Sequence, residues 1–213
     1  MEDNDKQILI FVRPPKEISR RIYKLNKLLS SKFHNSYMSH VPFEWESHLM
    51  VYLSPMPNHN LNSILQESQQ IVAQTRSFTV KLGGFEIAAG NYLVIAIDKE
   101  SAPRLHQLHD NLVNRFTSLR GKGINPKYLE KWAIFSDKEK IRIKDTGIPY
   151  PYEPHLSVAK LLPEELNSAM SLIKDNSFSG ESFLARELIV SQQSDNVATD
   201  WSTPGIFKFD SSS

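Results

Sequence analysis

Tyr152-Glu153-Pro154-His155-Leu156-Ser157-Val158-Ala159 reads as the opening of a β-strand. Pro154 has a fixed φ and no backbone donor, so it suits the first residue of a strand and not its interior. Side chains then alternate between the two faces. Leu156 and Val158 are expected to enter the core, leaving His155 and Ser157 side by side on the opposite face. An imidazole beside a hydroxyl on rigid backbone can hold an anion and move a proton.

The pattern has an upstream echo in Ser47-His48-Leu49-Met50-Val51-Tyr52. Leu49 and Val51 are expected to face inward, and His48, Met50 and Tyr52 outward. Two His-Leu-x-Val strands in one chain resemble the paired His-x-Ser/Thr-x motifs of the two-histidine phosphoesterase superfamily. That superfamily includes the bacterial RNA cyclic phosphodiesterases often labelled 2′-5′ RNA ligases. The second motif matches in full, including the proline before its His. The first carries Met50 where the superfamily has Ser or Thr. On the residues alone the chain is α+β. The resemblance implies a bilobal fold, with two antiparallel sheets, helices outside, and a central cleft holding one His from each lobe.

Cleaving a phosphodiester needs a base for water or a hydroxyl, and an acid for the leaving oxygen. An imidazole, with an ordinary pKa of about 6.5, suits both tasks. The resemblance therefore implies His48 and His155 as the catalytic pair and Ser157 as a phosphate-binding donor. Met50 supplies no such donor, since a thioether is a weak acceptor. Replacements come from a backbone N–H, from Tyr52, or from a basic side chain such as Lys140 or Arg142. Tyr150 and Tyr152 are candidates to stack a base. The implied activity is metal-independent cleavage of a 2′,3′-cyclic phosphate end of a nucleotide or RNA, or of a 2′-5′ linkage, without a cofactor. The alternative is a nucleotide- or RNA-binding protein disabled as an enzyme by its missing first hydroxyl.

Composition narrows the field. The 213 residues are 40% hydrophobic, which is globular in character. There is no Cys, so disulfides, thiolate nucleophiles and Cys zinc sites are excluded. No spacing suits a metal, no glycine-rich phosphate loop is present, and no serine sits in a nucleophile elbow. Met1-Glu2-Asp3-Asn4-Asp5-Lys6 is too acidic for a signal peptide, and no apolar run approaches the ~20 residues of a membrane helix. A cytoplasmic location is the expectation. Net charge is only +1.

Along the chain, one two-lobed domain over residues 1–213 is expected. Residues 1–11 cover a disordered start and then the first strand, within Gln7–Arg13. Ile18, Ile22, Leu25, Leu28 and Leu29 mark a helix over about 15–31. The first His strand is expected to stop at Pro55. Leu61, Ile64, Leu65, Ile71 and Val72 mark the next helix. Two strands follow, one interrupted at Gly83-Gly84 and the other entered through Ala89-Gly90-Asn91. A helix near Pro103 carries His106 and His109, read as packing or surface residues. A basic insert spans residues 120–154. Eight Lys or Arg stand against three acids within 120–144, and Lys140-Ile141-Arg142-Ile143-Lys144 alternates as a strand with one basic face would. A helix begins at Pro163. Residues 183–192 and 206–209 are closing strands, and 210–213 form a loose tail.

Overall fold

Strand β1 (Asp5–Val12) is apolar on both faces, which suits a position inside a sheet. Ile8, Ile10 and Val12 enter the main core, while Leu9 and Phe11 form a smaller cluster with Ile189. The computed structural model describes residues 5–37, 47–121, 123–130, 132–148, 151–194 and 201–210. Helix α1 (Lys16–Ser30) follows and buries Ile18, Ile22, Leu25 and Leu29 along one stripe. Then come β2 (Leu49–Pro57), α2 (Leu61–Ala73), β3 (Phe78–Ala88), β4 (Tyr92–Ile97) and α3 (Ala102–Phe116). The one-turn α4 (Pro126–Leu129) and α5 (Asp137–Thr146) lead to β5 (His155–Lys160), α6 (Leu166–Ile173), β6 (Ser182–Ala185), β7 (Glu187–Gln193) and β8 (Trp201–Lys208).

The strands lie in the order β6-β3-β4-β5-β2-β1-β7-β8, every neighbouring pair antiparallel. β6 forms one margin and β7 lies next to the other margin, yet Arg186 is the only residue between them. One residue spans at most ~3.6 Å. The sheet must therefore curl until its ends approach, giving a half-barrel. The amide of Phe209, just beyond β8, donates to the Arg186 carbonyl at 2.9 Å and fastens this meeting point.

In place of the two expected sheets, the strands run in one continuous order. Its two four-stranded halves meet narrowly, because β2 and β5 pair only at Leu49↔Leu156. Beyond that pair the second edge of β2 has no strand beside it among the described residues. A residue lacking an N–H is tolerated there, so β2 runs through Pro55 to Pro57 instead of stopping. The apolar run 183–192 is likewise divided at Arg186 into β6 at one margin and β7 next to the other.

The basic insert holds the largest correction. Residues 140–144 belong to helix α5. Ser136 and Glu139 form a reciprocal capping box at its start, and Gly147 closes it with φ +84°. A side chain at Gly147 would also collide with the Ser54 hydroxyl. Local capping at both ends outweighs the alternation read from the basic residues. Only Ile143 is buried, while Ile141 is 59% exposed.

Candidate functional site

The junction of the two halves brings the two His motifs together. One antiparallel step from Leu49↔Leu156 sets His48 opposite Ser157, and a step the other way sets Met50 opposite His155. Residues facing each other across such a pair have Cβ atoms about 4.5–5.5 Å apart. Leu49 and Leu156 are both fully buried in the main core, so their neighbours point to the other face. His48, Met50, His155 and Ser157 therefore form a two-by-two patch on the face opposite the main core, each partly exposed.

Behind this patch the two His strands are built alike. On β2, Ile10 and Phe11 pair with Tyr52 and Met50, leaving Val51 as an extra residue. On β5, Leu93 and Val94 pair with Ala159 and Ser157, leaving Val158 as the extra residue. Each motif thus carries a β-bulge three positions after its His. The carbonyl of each bulged valine accepts a hydrogen bond from a buried helix side chain. Nδ1 of His109 on α3 donates to Val51 at 2.6 Å, and Nδ2 of Asn26 on α1 donates to Val158 at 2.8 Å. A polar residue inside a helix's apolar stripe is the sequence signal for both. Sequence reasoning assigns His109 to packing or surface and gives Asn26 no role, so both supports are missed.

The ring nitrogens of His155 are differentiated. Nδ1 lies 2.8 Å from the Glu153 carbonyl, which can only accept, so Nδ1 carries the proton and Nε2 keeps its lone pair. Burial lowers the His155 pKa from its usual value, opposed by this hydrogen bond and by the Glu153 charge. His48 packs against the Phe11 ring at 5.5 Å between centroids. Met50 lies against Leu9, Phe11 and Ile189, with Leu53 and Trp201 around them. The first motif thus has an apolar floor where the second has a hydroxyl.

The bulge overturns the expected position of Tyr52. An extra residue shifts the alternation by one, so Val51 and Tyr52 both turn into the main core. Tyr52 is 1% exposed, packs edge-on against Phe116, and burial pushes its phenol up to about 12. It is no donor for the patch. Tyr152 also turns inward. Its hydroxyl donates to the Met50 carbonyl at 2.8 Å, and its ring stacks on His109 at 4.5 Å, with His106 edge-on at 5.7 Å. Burial raises its pKa strongly. Tyr152 thereby serves the strandless edge of β2 and presents no platform for a base. Tyr150 lies outside the described residues.

Lys140 and Arg142 are partly exposed on α5, not on a strand edge. Arg142 is near enough to His109 to depress its pKa, although burial is the leading cause of that lowering. Two other cations of the insert are engaged internally. Arg120 donates to Ser54, Ile143 and Lys144, holding the C-terminal carbonyls of α5, and Lys144 lies over the Trp132 ring. Arg13, in contrast, is a site residue that sequence reasoning misses. It continues the Leu9–Phe11 parity of β1, and Arg13 and His48 directly flank Val12↔Leu49, the last register pair of β1 and β2. Alternation along Gln7–Arg13 is the signal that places it there.

An antiparallel half-barrel with one His on each of two abutting strands has the form of a two-histidine phosphoesterase. A family model described as the 2'-5' RNA ligase superfamily matches residues 14–196, and the chain belongs to that superfamily. Solved structures share the fold. TT0787 of Thermus thermophilus superposes with a TM-score of 0.63 at 12% identity, covering 95% of this chain and 97% of that one. E. coli LigT complexed with phosphate gives 0.58 at 11% identity, covering 97% and 98%. LigT complexed with 3′-AMP gives 0.60 at 11% identity, covering 96% and 98%. No curated protein sequence matches the chain. Family and fold together support a phosphoesterase-type activity. Among the described residues, no helix is long and apolar enough to cross a membrane.

Proposed function

We propose that this chain is a metal-independent phosphodiesterase acting on 2′,3′-cyclic phosphate ends of nucleotides or RNA, or on 2′-5′ linkages. The observation that carries the reading is the single register pair Leu49↔Leu156, which groups His48, His155 and Ser157 on one face. His155, protonated on Nδ1 and depressed by burial, is the base: its Nε2 takes a proton from the attacking water. His48 then donates a proton to the leaving oxygen. Ser157, opposite His48, donates to a phosphoryl oxygen as charge develops there. Nucleotides are the expected ligands, a reading supported by the complexes of LigT with 3′-AMP, ATP and NADP+.

The test is turnover of a panel of 2′,3′-cyclic nucleotides, with and without chelator, beside binding titrations on the same compounds. Turnover that survives chelator is expected. Complete loss with chelator, restored by a divalent metal, would overturn the two-imidazole mechanism. Met50 favours a second reading of its own. Its apolar surroundings leave one side of the phosphate without a side-chain hydroxyl, as in a protein that binds nucleotides without cleaving them. Binding without turnover across the panel would select that reading.

A further inference from the structure

Arg13 belongs to two places at once. It follows Val12, whose register partner Leu49 follows His48, and it lines a groove of about 460 Å³ with Lys16, Phe183, Leu184, Arg186 and Glu187. The groove exists because the sheet curls. The Arg186 link draws β6 toward the end of β1, and the groove lies between them. We propose that it holds a second phosphate, one nucleotide away from the phosphate between His48 and His155. The preferred substrate is then an oligonucleotide end instead of a mononucleotide. This deepens the phosphodiesterase reading above and rests on it.

Charge is the first argument. Three cations face one carboxylate, and among the described residues no ion pair or side-chain hydrogen bond engages Arg13, Lys16 or Arg186. Salt bridges at Arg21–Glu181, Lys81–Glu100 and Arg115–Glu67 involve none of these three cations. Cations left unneutralised in a concave wall attract phosphate and raise its local concentration. The chain's net charge of +1 makes this excess local.

Position is the second. Arg13 and His48 directly flank Val12↔Leu49, the last register pair of β1 and β2, and Arg13 shares the groove lining with the other two cations. A phosphate chain leaving the His pair on that side would meet guanidinium groups, which bind phosphate in a bidentate manner. Leu184 alternates with the buried Phe183 on β6 and is 41% exposed, offering an apolar surface to a sugar or base. The first turn of the 15-residue α1 opens at Lys16 with no side-chain cap on Pro15, which adds a favourable dipole for an anion. Helix α5 lacks this combination, since two cations of its insert hold carbonyls or an aromatic ring.

The experiment compares a tetranucleotide carrying a 3′-phosphate with the matching nucleoside 3′-monophosphate. Both are titrated against the parent, Arg186→Gln, Lys16→Gln and the charge-preserving Arg186→Lys. The parent is expected to bind the tetranucleotide about tenfold more tightly, with each groove phosphate adding about 0.7 to the salt slope. Arg186→Gln and Lys16→Gln should remove most of that preference and leave mononucleotide affinity unchanged, while Arg186→Lys keeps much of it. Equal binding of the two probes by the parent, or unchanged preference in both Gln variants, overturns the groove. Turnover of a 2′,3′-cyclic mononucleotide is read in parallel. A length preference lost in Arg186→Gln without any turnover upholds the groove and sinks the catalytic reading. Turnover without a length preference does the reverse, and absence of both binding and turnover overturns both.

Discussion

The two His strands share a frame and differ in content. Each has its bulge three residues after the His, and each bulged carbonyl is held by a helix from the opposite half of the sheet. α1 precedes β2 but supports β5 through Asn26, and α3 precedes β5 but supports β2 through His109. Each half therefore positions the other's motif. The content diverges on the face opposite the main core. β5 lies between β4 and β2 and offers Ser157, whereas Met50 on β2 rests on Leu9, Phe11 and Ile189. A shared frame gives both motifs the same backbone although only one of them carries a hydroxyl.

The largest expected effects test whether the halves act as one unit. His48→Ala and His155→Ala should each lower turnover by ~10²–10⁴-fold while the chain stays folded. The double variant should lose less than the product of the two. Near-parental turnover in either single variant would break the pairing.

Ser157→Ala comes next. Loss of one donor to the developing charge costs about 10²-fold in kcat. An unchanged kcat would show that the second motif's hydroxyl is as dispensable as the first.

The shared frame can be probed behind the face. Asn26→Ala and His109→Ala each leave a buried carbonyl without its donor, a loss of ~1–3 kcal/mol. Thermal or denaturant unfolding should show both losses. Turnover should fall in each variant through kcat more than KM, because the substrate contacts remain while the His strand loses its support. A variant that unfolds like the parent would mean its bulge is held by strand geometry alone.

A smaller effect follows from His109 and His155, the two histidines whose pKa values burial lowers. Between the lowered folded value and the unfolded value of about 6.5, the unfolded chain binds more protons than the folded one. Stability is therefore intact above that range and is lost as the pH falls through it. With His155 proposed as the base, turnover should follow the same direction, with its acidic limb below the ordinary imidazole value. An acidic limb above the ordinary imidazole value of about 6.5 would assign the base elsewhere.

The smallest effect is expected from Met50→Thr. It restores a hydroxyl on the face that lacks one, and a gain of a few-fold in kcat is expected on a 2′,3′-cyclic nucleotide. It also removes apolar contact with Leu9, Phe11 and Ile189, so unfolding should register a loss of about 1 kcal/mol. A drop in turnover as large as that of Ser157→Ala would show Met50 to be an adapted part of the site.

Much of this protein is legible in its residues, because period and punctuation are local properties. The stripe of Ile18, Ile22, Leu25 and Leu29 marks α1, Gly83-Gly84 marks the irregular β3–β4 pairing, and Pro154 marks the start of β5. The paired His-Leu-x-Val strands also point to the fold. Tertiary contacts decide the rest. The register shift at Val51 cannot be seen without β1 beside it, and it sends Tyr52 into the core. Residues 140–144 alternate like a strand, yet Ser136, Glu139 and Gly147 close a helix around them. Arg13 gains its importance only when β1 pairs with β2 and Arg186 draws β6 across the curl. Alternation and caps are written in neighbouring residues, whereas register and closure depend on strands far apart in the chain.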